Sequence, residues 1–191
     1  MILIIDNYDS FTYNIFQYVG EINKDVIIVK NDQLSIESIK QNNYSHIIIS
    51  PGPGAPNESG KCIDIVKHFY KEIPILGVCL GHQVIGKAFG ASVIKNHDIV
   101  HGKTSEIYND NSSVLYNGIP SVFTATRYHS LIIEKSSISN DFRINSWLSD
   151  KTVMGLEHKK YPLYGVQYHP ESIKTDYGKL ILNNFIKTQC N

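Results

Sequence analysis

The pattern of residues predicts an α/β protein: a mostly parallel central sheet flanked by helices, with a smaller antiparallel β region. Three observations lead there. Short apolar runs such as ILIID and HIIIS recur without polar alternation, as strands buried on both faces require. Amphipathic stretches of helical period lie between them. From about Ala91 onward the texture changes to brief β-like runs divided by Asn, Asp, Ser and Gly, as hairpins do.

Taken in order, residues 2–6 form the first buried strand. SFTYNIFQYVGE then places Phe11, Ile15, Tyr18 and Val19 on one helical face, with Ser10 as the expected N-cap. Residues 25–30 are the second strand, 34–41 a short helix and 46–50 the third strand. PGPGAP, residues 51–56, is a loop, because three prolines and two glycines exclude helix and ladder alike. Residues 61–72 carry Ile63, Val66 and Phe69 or Tyr70 at helical spacing, and PILGV is the fourth strand. Strand–helix alternation of this kind calls for right-handed crossovers and a parallel sheet. ASVIKN, TSEIYN, SVFTATRYH, SLIIE, FRINSW and TVMGLEH supply the antiparallel region. LYGVQYHPE returns to a buried strand, and Asp176 is the expected N-cap of a last helix. With no repeat, linker or low-complexity tract, residues 1–191 read as one domain.

Composition excludes several classes. Lys plus Arg is 18 and Asp plus Glu is 18, with no basic stripe, so nucleic acid is not an expected partner. No segment approaches the roughly 20 apolar residues of a membrane helix, so no membrane partner is expected. The N-terminus lacks the pattern of a signal peptide. Three cysteines, Cys62, Cys79 and Cys190, form no disulfide framework and suit a reducing, cytoplasmic compartment. His97 and His101 have a spacing open to a metal, but no third ligand is evident. Neither a metal nor a cofactor is expected.

In open α/β sheets, ligands sit beyond the carboxyl ends of the strands. Three loops follow such ends here: PGPGAP, CLGHQ and HPES. GVCLG has the form of a nucleophile elbow, with Cys79 at the strand-to-helix turn and Gly77 and Gly81 relieving its crowded margins. A helix N-terminus there favours thiolate, and the Leu80 N–H is placed to donate to an oxyanion. A free cysteine is most often a buried filler; the two glycines favour the nucleophile. Cys62 reads as such a filler and Cys190 as an exposed tail thiol. His169 and Glu171 supply a base and its orienter if the segment is extended, because residues two apart then share a side. A surface turn is the plainer reading of His-Pro-Glu. Gly52 and Gly54 let bare backbone approach a ligand, or serve a rigid turn.

SPGPGAP, GVCLGHQ and YHPES, in this order and spacing, resemble the class I (triad-type) glutamine amidotransferases. DNYDSFTYN, HGKTS and RYHSLIIE narrow the resemblance to the glutaminase subunits that serve chorismate-using synthases, those of anthranilate and of 4-amino-4-deoxychorismate. It covers essentially the whole chain. It implies Cys79 as nucleophile, His169 and Glu171 as the rest of the triad, and Gly52 and Leu80 as oxyanion donors. It further implies glutamine held by Gly52, Pro53, Gly54, Gln83, Ser130 and Leu131. The partners implied are L-glutamine and the synthase subunit that receives ammonia, in tryptophan or folate synthesis or both. His129 is expected in a packing or hydrogen-bonding role and His82 in a structural one. Alternative readings are an amidotransferase for another synthase, such as that of GMP or carbamoyl phosphate; a regulatory subunit that has lost hydrolysis; and a cysteine peptidase or elbow hydrolase acting without a partner.

Overall fold

The expected alternation forms in the computed structural model of the chain, which describes residues 1–190, the side chains of 97–99 excepted. The first part runs β1 (Ile2–Asp6), α1 (Thr12–Ile22), β2 (Val26–Lys30), α2 (Ile36–Gln41), β3 (His46–Ile49), α3 (Cys62–Phe69), β4 (Ile75–Val78) and α4 (Leu80–Ala88). Then follow β5 (Val93–Asn109), β6 (Val122–Ile133), β7 (Phe142–Trp147), β8 (Val153–His158), β9 (Leu163–Val166) and α5 (Gly178–Ile186).

The described strands join one sheet in the order β2-β1-β3-β4-β9-β8-β7-β5-β6. The first five pair in parallel and the rest antiparallel. The antiparallel region is therefore a continuation of the sheet. Strand periodicity splits the core between its faces. Ile2 and Ile4 of β1 join Ile15 and Val19 of α1 and Ile181, Leu182 and Phe185 of α5. Leu3 and Ile5 join Ile65, Val66 and Phe69 of α3 and Val84 and Ile85 of α4.

Several boundaries depart from expectation. ASVIKN and TSEIYN belong to the single long strand β5, and SVFTATRYH and SLIIE merge in β6. Pairing between these two strands carries register shifts, between Lys95 and Val100 and between His101 and Lys103, yet continues through the polar residues. Pro56 opens a short 3₁₀ turn to Glu58 inside what reads as pure loop. Ser10 does not cap α1. Asp9 Oδ1 accepts from the Phe11 N–H (2.8 Å), and Asp6 Oδ1 accepts from the Thr12 hydroxyl (2.9 Å). Burial opposes ionisation of Asp6, but Lys30, with the Asp9 and Thr12 donors, holds its carboxyl below the ordinary value. Asp176 does not cap α5 either. Its carboxylate accepts from the Thr124 N–H of β6 (3.3 Å), and Tyr177, in a left-handed conformation, precedes the helix.

Cys62 is a buried filler as expected, its thiol pushed up to about 12 by burial. Cys190 is half-buried rather than exposed, and burial raises its thiol as well. The side chain of His97 lies outside the described residues, so the His97–His101 spacing is not tested. Among the described residues no group of three metal-ligating side chains gathers, and no helix is long and apolar enough to cross a membrane.

Candidate active site

Parallel pairing of β1, β3, β4 and β9 brings their carboxyl ends to one edge. The loop leaving β1 is laced to the loop leaving β3. The Asn7 N–H donates to Ser50 Oγ and the Asn7 side-chain amide to the Ser50 carbonyl, both at 2.9 Å. This holds PGPGAP against the sheet edge beside Cys79.

Cys79 sits between β4 and α4 with φ 52° and ψ −99°, a conformation that costs a non-glycine residue about 1–3 kcal/mol. The surroundings impose it. The Cys79 N–H donates to the Val166 carbonyl of β9 (2.8 Å), and the Cys79 carbonyl accepts from Gln83 N–H (3.2 Å) to open the helix. The two glycines are required by space. A Cβ on Gly77 would strike the Gly81 carbonyl and lie 2.7 Å from His82 N; one on Gly81 would strike the Ile49 carbonyl oxygen. Gly52 is equally constrained, since its Cβ would lie 2.6 Å from Asn7 Cβ and 2.7 Å from Leu80 Cδ2. Leu80 is the first residue of α4, where an N–H has no partner within the helix.

His169 and Glu171 meet, Nδ1 to Oε1, at 2.6 Å, both almost wholly buried. They do so by a route that differs from expectation. β9 ends at Val166, and the Ser172 N–H donates to the His169 carbonyl (3.2 Å), so Pro170 and Glu171 occupy a turn. Proline favours such a turn over extended backbone because its ring presets φ. The turn is fixed from β6: Thr126 O accepts from His169 N–H (3.0 Å), and the Thr175 hydroxyl donates to His169 O (2.6 Å). Burial opposes a charged imidazole, but the Glu171 carboxylate and the adjacent Cys79 sulfur hold His169 well above its ordinary value. His169 Nε2 makes no well-aligned hydrogen bond.

Cys79 and Leu80 line a cavity of about 160 Å³ together with Gly52, Pro53, Gly54, Gln83, Ser130 and Leu131. The sequence-derived substrate residues thus share one concavity with the expected nucleophile. Two further residues, Tyr128 and His129, line it as well. His129 has a hydrogen-bonding role: its Nδ1 lies 3.1 Å from the Leu131 carbonyl oxygen, and burial, then Arg127, lowers it to about 4. His82 lies beneath the site against Gly165, lowered by burial to about 3.

Other residues escape a reading of the sequence alone. The rings of Phe11 and Tyr128 stand edge-on to His169, at centroid distances of 5.6 and 5.1 Å, and His101 packs edge-on against Tyr128 at 5.2 Å. The motifs DNYDSFTYN, RYHSL and HGKTS thereby converge over one imidazole. Gln167, 3.5 Å from Cys79 Sγ, is a further addition. Tyr168 points the other way, to the Tyr116 hydroxyl. That alternation was the available signal.

The class-I glutamine amidotransferase family model matches residues 3–188, and the chain belongs to that family. Within it, the chain is 52% identical over 187 residues to anthranilate synthase component 2 of Cyanophora paradoxa, covering 97% of this chain and 98% of that one. It is 44% identical over 188 residues to aminodeoxychorismate/anthranilate synthase component 2 of Bacillus subtilis, covering 98% and 96%. It is 48% identical over 190 residues to the bifunctional protein TrpGD of Thermotoga maritima; there the match takes in 98% of this chain but 32% of the longer relative. A Thermoplasma acidophilum protein assigned as a GMP synthase subunit, solved by crystallography, superposes with a TM-score of 0.84 at 30% identity, covering 97% of this chain and 91% of that one.

Proposed function

We propose that residues 1–191 act as one glutaminase subunit, which hydrolyses L-glutamine and delivers ammonia to a chorismate-using synthase subunit in the cytoplasm. The observation that carries this reading is the strained Cys79 beside the His169–Glu171 pair, opening on a cavity lined by Gly52–Gly54, Gln83, Ser130 and Leu131. The relatives named for anthranilate and for aminodeoxychorismate synthesis support a chorismate-using partner in tryptophan synthesis, folate synthesis or both.

The chemistry follows from the placement. The Cys79 thiol proton passes to His169 Nε2, and the thiolate attacks the side-chain amide carbon of glutamine. The Gly52 and Leu80 N–H groups receive the developing oxyanion. Glu171 keeps the His169 ring in the tautomer whose Nε2 takes and returns the proton. His169 protonates the departing nitrogen, ammonia leaves, and a γ-glutamyl thioester remains on Cys79. Water, deprotonated by His169, then releases glutamate. Ammonia must travel unprotonated to be nucleophilic, so the receiving site has to lie on a docked partner.

Cys79→Ser tests the reading. In the complex purified with its synthase subunit, glutamine-dependent synthesis is expected to disappear while ammonia-dependent synthesis continues. Equal loss with both nitrogen sources would show that Cys79 does not act in ammonia release.

A further inference from the structure

The orientation of one buried carboxamide can be read from its neighbours. Gln83 Nε2 donates to the Leu131 carbonyl oxygen and to Gln167 Oε1, each at 3.1 Å. A carbonyl oxygen only accepts, so Gln83 must turn its amino group, not its oxygen, toward Leu131. The second hydrogen of that amino group then faces Gln167, which must answer with Oε1. Gln167 is left with its own amino group directed at Cys79 Sγ, 3.5 Å away. Gln167 is wholly buried, and its backbone N–H donates to the Met154 carbonyl (2.9 Å), so the side chain has no route to water.

We propose that Gln167 is a hydrogen-bond donor to the Cys79 thiolate, oriented for that task by Gln83. The inference rests on the reading of Cys79 as nucleophile. A donor to the charged form of a group favours that form. The thiol proton still goes to His169 Nε2; Gln167 keeps its protons throughout. The chain Leu131–Gln83–Gln167–Cys79 also links the backbone wall of the cavity to the sulfur. The other titratable groups around the sulfur are His169 with Glu171 behind it, Tyr128 and His129 on β6, and His82 on α4. None of them is altered in the test below.

The test is the pH dependence of Cys79 alkylation by iodoacetamide in the full chain, followed by mass spectrometry from pH 5 to 9. Gln167→Met keeps the length of the side chain and removes the donor. Its alkylation midpoint is expected about one pH unit above wild type, an about tenfold slower reaction on the acid side. Gln167→Leu removes the donor with a branched apolar side chain, and its midpoint should rise by a similar amount. Gln83→Leu, which frees Gln167 to turn, should shift the midpoint in the same direction by less. Buried Cys62 reports folding: a variant that labels Cys62 has opened, and the decision passes to the other Gln167 variant. An unmoved midpoint in a folded Gln167 variant overturns the proposal. An unmoved midpoint in Gln83→Leu overturns the orienting role. Alkylation needs no glutamine turnover. A chain inactive on glutamine would therefore still show the shift, and an active chain without it would sink only the role of Gln167.

Discussion

The two halves of the sheet carry different parts of the site. The parallel half (β2, β1, β3, β4 and β9) delivers Cys79 and the loop of Gly52 from strand ends set side by side by register. The antiparallel half (β8, β7, β5 and β6) sends one long strand back across that edge. β6 contributes Ser130 and Leu131 to the cavity, and it ties down the His169 turn through Thr126. Cys79 and Gly52 therefore come from strand ends, where a side chain can stand free above the sheet. One wall of the cavity comes instead from within strand β6. The antiparallel extension thus adds one wall of the cavity and the Thr126 bond that holds His169 from β6.

The elbow is where the parallel half is most easily damaged. Gly81→Ala forces a methyl onto the Ile49 carbonyl and should cost about 3 kcal/mol or more, lowering the melting temperature by roughly 10 °C. Gly20→Ala, whose Cβ would find its nearest neighbour at 3.9 Å, serves as control and should be neutral or stabilising by up to about 1 kcal/mol. Thermal unfolding by circular dichroism separates the two.

Next comes the imidazole. His169→Ala should lower glutaminase turnover in the complex by at least ~10²-fold with a far smaller effect on KM. Glu171→Gln should cost less, because the ring loses its orienting charge but keeps a hydrogen-bond acceptor. A wild-type rate in His169→Ala would remove it from the mechanism.

A subtler change asks whether β6 fixes this turn. Thr175→Val removes two hydrogen bonds, one accepted from Thr126 N–H (3.0 Å) and one donated to His169 O. Stability should fall by about 1–3 kcal/mol, since the Thr126 N–H loses its partner. Turnover should fall further than the folded fraction alone predicts, as steady-state kinetics at saturating glutamine would show. A rate that follows only the folded fraction would mean that the turn holds His169 unaided.

Least change is expected at Ser130, if its backbone does the binding. Ser130→Ala leaves the main chain of β6 in place and should change KM for glutamine by less than about twofold, within the range of an exposed substitution. A tenfold rise would assign binding to the hydroxyl instead.

The parallel half and its cysteine elbow are legible in local sequence. ILIID, HIIIS and PILGV admit little but buried strands. Gly77 and Gly81 around Cys79 mark a turn too crowded for any side chain, and steric demands of that kind are local. Local patterning is less informative where contacts are long-range. The merging of two runs into β6, the recruitment of Asp176 by Thr124 in place of a helix cap, and the turn at Pro170 each depend on a hydrogen bond across the sheet. No neighbour in sequence signals those partners. Likewise, Phe11, His101 and Tyr128 stand far apart in the chain, and only the tertiary fold brings Phe11 and Tyr128 edge-on to His169, with His101 edge-on to Tyr128. Sequence decides which backbone conformations are open to a given residue; tertiary structure decides which distant groups satisfy one another, because a buried donor takes whatever acceptor the packed sheet brings within reach.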